Sequence, residues 1–224
     1  MGKVTTSGQN NITSPNGNSL AVFVDGVTQV MKVKDVMGNI QPITDFIPTI
    51  IVQNGNYGLY AQTSLGTLIT NTTVETSLIG TGVGTLTVPA NGFNVGDSFT
   101  AKICGSLSCA NNETIHIRVK SDGNVIADAG VFQMKITTNK FFELIIEFTV
   151  TKIGGLGVAE LFVNGQYSYN QNANTNLDGV NFALVSNTTF NTTVSNVLSI
   201  TAQWGASNVA NKIQSQNFVL NKIY

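Results

Sequence analysis

The stretch Phe142-Glu143-Leu144-Ile145-Ile146-Glu147-Phe148-Thr149-Val150-Thr151 decides the fold. Phe142, Leu144, Ile146, Phe148 and Val150 recur at every second position, so an extended backbone sets all five on one face. The opposite face carries Phe141 and Ile145 among Glu143, Glu147 and Thr149. One apolar face and one mixed face is the mark of a half-buried β-strand.

The same period extends outward along the chain. Thr85-Leu86-Thr87-Val88 alternates and stops at Pro89, and Phe99-Thr100-Ala101-Lys102-Ile103 follows. Ile115-His116-Ile117-Arg118-Val119-Lys120 ends at Ser121-Asp122-Gly123-Asn124, a hairpin turn signal. Gly154-Gly155 breaks the chain, Val158 to Val163 reads as the next strand, and Asn164-Gly165 reads as its closing turn. Leu198, Ile200, Ala202 and Trp204 share a face, and the chain ends on Phe218-Val219-Leu220-Asn221-Lys222-Ile223-Tyr224. No long stripe of helical period with caps interrupts this. About eight strands over roughly 150 residues fit an antiparallel two-sheet jelly roll. An immunoglobulin-like sandwich is the alternative, and Trp204 does not lie between the two cysteines as an antibody-type domain requires. The jelly roll predicts Phe99, Ile117, Leu144, Ile146, Phe148, Ile200 and Trp204 to be buried.

Three segments are expected. Residues 1–18 are polar, contain the turn cluster Pro15-Asn16-Gly17-Asn18, and read as an extended arm whose order depends on a partner. Residues 19–74 read as a small hairpin and connector: Leu20-Ala21-Val22-Phe23-Val24, the turn Asp25-Gly26, then Thr28 to Lys34, with another turn at Gly38-Asn39. A two-stranded hairpin is marginal in water, so this unit should trimerise or dock on something else. Pro48, Ile50-Ile51-Val52 and a short strand from Leu65 to Ile69 lead to the jelly-roll domain, residues 75–224.

Charged residues make up 10% of the chain and hydrophobic ones 42%. The usual charged share is roughly 25%, so the surface is built from Asn, Thr, Ser, Gln and Gly. A net charge of −1 supplies no basic face for phosphates, which argues against nucleic acid as a partner. No apolar run reaches the roughly 20 residues that a bilayer span needs. The opening Met1 to Thr6 lacks the apolar core of a signal peptide. Gly2 and Thr6 match the myristoylation pattern, which is short enough to arise by chance.

No catalytic or cofactor-binding constellation is legible. The single histidine, His116, lies on the polar side of its strand beside Arg118, with no acid obviously adjacent to complete a triad. Glu143 and Glu147 are four apart on one strand, about 13 Å between Cα atoms, beyond the spacing of a glycosidase pair. Gly80-Thr81-Gly82-Val83-Gly84 lacks the spacing of a phosphate cradle, and Gly154-Gly155-Leu156-Gly157 reads as a hairpin loop. Cys104 and Cys109 flank a turn-like Gly105-Ser106-Leu107-Ser108; they are either a local bridge or, as we favour, two free thiols. With one distant histidine they do not make a metal site. Five Asn-x-Thr sequons accompany the abundance of Asn and Thr. Tyr167 and Tyr169, in Asn164-Gly165-Gln166-Tyr167-Ser168-Tyr169, read as loop aromatics and are candidates for stacking on a glycan or receptor, the alternative being that they pack under the loop.

Residues from about 75 to 224 resemble a jelly-roll domain of head-fibre, spike and tail-fibre proteins of tailed bacteriophages. The resemblance is carried by Gly96-Asp97-Ser98-Phe99, Ile117-Arg118-Val119-Lys120-Ser121, Asn187 to Asn196, Ile200-Thr201-Ala202-Gln203-Trp204 and Leu220-Asn221-Lys222-Ile223-Tyr224. Phe23-Val24-Asp25-Gly26 and Val33 to Asn39 are similar to the virion-proximal segment that precedes such domains. The resemblance implies a tumour-necrosis-factor-like jelly roll assembled as a homotrimer on the virion surface. Its N-terminal segment would be held by a capsid or tail protein. It brings no catalytic residues and no cofactor. The expected function is a non-enzymatic head fibre or spike, with a tail-fibre or host-receptor and glycan-binding module as the alternative. Outward Phe141 and Ile145 are the candidate subunit contact.

Overall fold

The structure is a computed structural model, and it describes residues 21–24, 31–42, 57–172, 176–184 and 189–224. Residues 1–18, the turn Asp25-Gly26 and the stretch Pro48 to Val52 lie outside the described residues. The chain divides into two compact units, Met1–Asn54 and Gly55–Tyr224.

The first unit contains a three-stranded antiparallel meander, β1 (Ala21–Val24), β2 (Met31–Lys34) and β3 (Ile40–Pro42), in the order β1-β2-β3. The expected hairpin thus gains a third strand. Between β2 and β3 the Asp35 carboxylate accepts from the Asn39 backbone N–H and from Asn39 Nδ2, both at 2.8 Å. Gly38, with φ 87°, takes the left-handed position that this turn requires. Phe23 and Val33 are buried.

The second unit is an all-β sandwich with no helix among the described residues. Eight longer strands carry it. They are β9 (Ser98–Cys109), β10 (Thr114–Ser121), β11 (Asn124–Gln133), β12 (Thr137–Lys152), β13 (Glu160–Asn170), β14 (Leu177–Leu184), β15 (Asn196–Trp204) and β16 (Lys212–Lys222). Five shorter ones precede them: β4 (Tyr57–Gln62), β5 (Ile69–Thr70), β6 (Thr76–Ser77), β7 (Gly82–Gly84) and β8 (Thr87–Val88). The large sheet runs β14-β13-β12-β9-β16-β4-β7, with β5 also on β16; the small sheet runs β11-β10-β15-β6, with β8 also on β15. All pairings are antiparallel. Among the eight longer strands the chain crosses between sheets after β9, β11, β14 and β15, and it also crosses at each step from β5 to β9, so sequence neighbours interleave across two layers in a jelly-roll-like path. The hairpin β13–β14 widens the large sheet at one edge.

The alternating stretches build this core. Ile103, Ile117, Leu144, Ile146, Ile200 and Trp204 are all at most 1% exposed. Phe99 is buried too, whereas Phe148 is only partly buried; both border an apolar cavity between the sheets. The turn after β10 is a two-residue loop with positive φ at both Asp122 (47°) and Gly123 (79°), the mirror-image turn whose twist suits a hairpin.

Four expectations change. The sandwich extends upstream of residue 75, because β4, from Tyr57, pairs with β16 and β5 also joins it. The expected strand from Leu65 to Ile69 contracts to Ile69–Thr70. Cys104 and Cys109 do not flank a turn; both lie on the continuous strand β9, roughly 16 Å apart by strand rise, far beyond disulfide reach, and both thiols are free. Asn164-Gly165 is no turn either, since β13 runs straight through it. There a Cβ at position 165 would lie 2.1 Å from the Phe182 ring, which fills that space from β14.

Candidate functional site

The two outward faces of the sandwich differ sharply in charge. On the small sheet, alternation points His116, Arg118 and Lys120 of β10 outward, and neighbouring strands supply their partners. Lys120 Nζ lies 2.6 Å and Arg118 Nη1 3.1 Å from the Glu75 carboxylate, and Thr201 donates to Glu75 as well. Arg118 also donates to Gln203 Oε1 at 3.0 Å. His116 contacts Asp128 through Nε2, and its Nδ1 accepts from Arg118 Nη2 at 2.7 Å.

The sequence reading found no acid beside His116; the structure brings Asp128 there from β11. An unbroken hairpin register from Ser121↔Asn124 would set Asp128 opposite the inward Ile117. A bulge between Val119 and Lys120 shifts it opposite Arg118 instead. The resulting His–Asp pair is not a nucleophile-activating one. The nitrogen that would serve a hydroxyl is occupied by Arg118, so the imidazole acts as a link in an ion-pair network.

Burial pushes against ionisation of Glu75, but Lys120, Thr201 and Arg118 outweigh it and hold its carboxyl below the usual range. Burial likewise opposes ionisation of Asp128, and the Gly130 N–H, His116 and Arg118 reverse it. Both folded pKa values therefore lie below the unfolded ones, about 4. The stabilisation is present above pH about 4 and drains away as acid protonates the folded carboxyls. The melting temperature should be flat near neutrality and fall on acidification below about pH 4. Glu75→Gln should lower the plateau and shallow that fall; identical acid limbs for variant and parent would refute the linkage.

The outward face of the large sheet is almost neutral. Its strand registers line up Asn181, Gln166, Ile145, Lys102, Val219 and Ala61 in one row across six strands. The next rows read Ala183, Asn164, Glu147, Thr100, Asn221 on one side and Gly179, Ser168, Glu143, Cys104, Asn217 on the other. Lys102 and Glu143 neutralise each other at 2.7 Å. Burial, with the Glu143 charge, pushes the Cys104 thiol above its ordinary pKa. Phe141 stands 50% exposed one row further, beside Ser106 and Gln214. Ile145, on the same face, lines an open groove of about 570 Å³ over β12–β14. Glu147, Asn164, Gln166 and Asn181 rim that groove. The separation of Glu143 and Glu147 persists, with Glu143 engaged by Lys102.

Tyr167 and Tyr169 are not on a loop. Both sit within β13, and the two-residue period sends both rings inward, 1% and 0% exposed. They stack on each other at 6.2 Å and meet Phe132 edge-on. A sugar cannot reach either ring, which corrects their reading as surface contacts. Tyr169 Oη accepts from the Lys135 N–H at 2.9 Å and donates to Asp178 at 3.1 Å; burial pushes its pKa up to about 12. Burial likewise pushes the Tyr167 hydroxyl well above its ordinary pKa, and that hydroxyl has no hydrogen-bond partner. Removing an orphan buried hydroxyl relieves its desolvation cost. Tyr167→Phe should therefore raise the unfolding free energy, by up to about 1–3 kcal/mol. Tyr169→Phe should lower it by about 1 kcal/mol. Urea melts compare the two, and a Tyr167→Phe protein less stable than Tyr169→Phe would contradict the assignment.

Among the described residues no three potential metal ligands cluster. No known protein family matches the chain, and no curated protein is similar to it.

Proposed function

We propose that the chain is a non-enzymatic virion structural protein: a homotrimeric head fibre or spike, held on a capsid protein by its N-terminal segment, with the jelly-roll-like sandwich projecting at the virion surface. The observation that carries the trimer is the contrast between the two faces. Burying an unpaired charge costs several kcal/mol, whereas neutral amides, hydroxyls and short aliphatics tolerate burial against a copy of themselves. Around β9 and β16 the large sheet offers such a surface, with its one lysine–glutamate pair already matched. The small sheet, with its ion-pair network, is the face suited to water. The two-unit division and the polar residues 1–18 support an anchor preceding a compact head.

In sedimentation the full-length protein is expected at three times its chain mass at micromolar concentration, with Cys104 protected from a maleimide. Val219→Asp should shift it to monomers in which Cys104 reacts, while Cys109, buried inside the sandwich, stays inert. A native monomer would refute the trimer. Deleting residues 1–44 should abolish decoration of particles, scored by antibody labelling in electron micrographs. Full occupancy by the truncated protein would refute the anchor.

A second reading, a tail-fibre or receptor module that binds a neutral glycan, is favoured by the groove over β12–β14. Its rim of three amides and one carboxylate can both donate to and accept from sugar hydroxyls, and it contains no cation. Binding to a glycan array that is lost in Gln166→Ala would select this reading.

A further inference from the structure

The core of the sandwich is incompletely filled at one end. Between the sheets lies a cavity of about 60 Å³, walled by Phe93, Phe99, Phe148, Phe190, Leu161 and Leu198. Its size would admit water, since about 10–15 Å³ suffices for one molecule. Chemistry argues against it, because a buried water needs two to four polar partners. The side chains of three of the four polar residues at the cavity, Ser121, Asn196 and Thr85, are already engaged within the protein. Ser121 Oγ donates to Asn196 Oδ1 at 2.7 Å, and Asn196 Nδ2 donates to the carbonyls of Asn191 and Val194, both at 2.8 Å. Thr85 Oγ1 accepts from the Thr87 N–H at 3.0 Å and donates to the Thr87 carbonyl at 3.2 Å. The apolar walls thus offer a water few of the partners it needs.

The cavity is also reachable. Thr85 is exposed and Leu59 and Leu86 are only partly buried, and these three residues form its rim. The segment over it is held to the small sheet by the two-residue strand β8 and the Leu198 N–H to Leu86 O bond, 2.9 Å. An apolar tip can enter past Leu86 with the rest of its molecule outside. No charged side chain borders the cavity to hold an ionic head group inside it.

We propose that this cavity is a binding site for the end of an alkyl chain. The walls provide only dispersion contacts and removal from water, so affinity must track buried methylenes until the space is full. A homologous series of linear alcohols, ethanol to n-octanol, titrated into the full-length protein and read by methyl NMR, tests this. Saturable shifts should be confined to methyls of Leu59, Leu86, Val88, Ile126, Leu161 and Leu198. Affinity should rise about fourfold per added methylene, the ratio that burial of one CH₂ gives, and then level off. Leu86→Phe, which fills the rim, should abolish the shifts; if that variant does not fold, Leu198→Phe replaces it. Shifts scattered over the surface, an affinity independent of chain length, or unchanged binding in the filled variant would each overturn the proposal. The readout is independent of oligomeric state and of particle attachment.

Discussion

Trp204→Ala should lower the unfolding free energy by roughly 3–5 kcal/mol, the range for truncating a large buried aromatic. Trp204 is 1% exposed on the inward face of β15, opposite Ile115 of β10. Its indole N–H donates to the Ile69 carbonyl at 3.2 Å, tying β15 of the small sheet to β5 of the large one. Truncation therefore opens a cavity and removes a hydrogen bond between the two sheets. For a domain whose whole stability is about 5–15 kcal/mol, that is a large fraction. The protein contains one tryptophan, so unfolding must be followed by circular dichroism in urea. Trp204→Phe keeps most of the volume and should cost markedly less. A loss below about 1 kcal/mol for the alanine variant would show that this residue does not hold the sheets together.

Gly105→Val should be worse still, leaving little soluble protein. Gly105 lies in the middle of β9, paired with Phe142 of β12 and Ser215 of β16. A Cβ there would sit 2.1 Å from the Gln214 carbonyl oxygen and 2.9 Å from the Ser215 Cα. Both are backbone atoms, so no rotamer change relieves the contact. The register shift between Ser215 and Asn217 belongs to the same stretch of β16. Relief requires parting β9 from β16 at the centre of the large sheet, an effect in the exceptional class above about 4 kcal/mol. Gly155→Val is the control: nothing lies within 4 Å of its Cβ position, and it should change stability by less than about 0.5 kcal/mol. Equal soluble yields of the two variants would refute the packing account.

Several features were readable from residues alone because they depend on local period or local turn chemistry. The inward set on β12 follows from spacing by two, and Asp122-Gly123 makes its turn because both residues tolerate positive φ. Asn164-Gly165 carries the same turn signal and fails to turn. There the flanking strands β12 and β14 supply ladder partners on both sides, and Phe182 fills the space above the glycine. The tyrosines at 167 and 169 were misplaced for the same reason. Once β13 runs on to Asn170, their alternation sends them inside.

By itself the sequence determined an all-β sandwich, the identity of most of its core, and a surface poor in charge, because alternation and composition are properties of the chain alone. Which strands became neighbours was decided only by the tertiary structure. A bulge of one residue placed Asp128 beside His116 and Arg118, and the pairing of β4 with β16 carried the sandwich upstream of residue 75. Registers between distant strands then gathered most of the charges on one sheet and left the other almost neutral. Those registers are set by the joint packing of two sheets, a constraint that no single strand carries in its own residues.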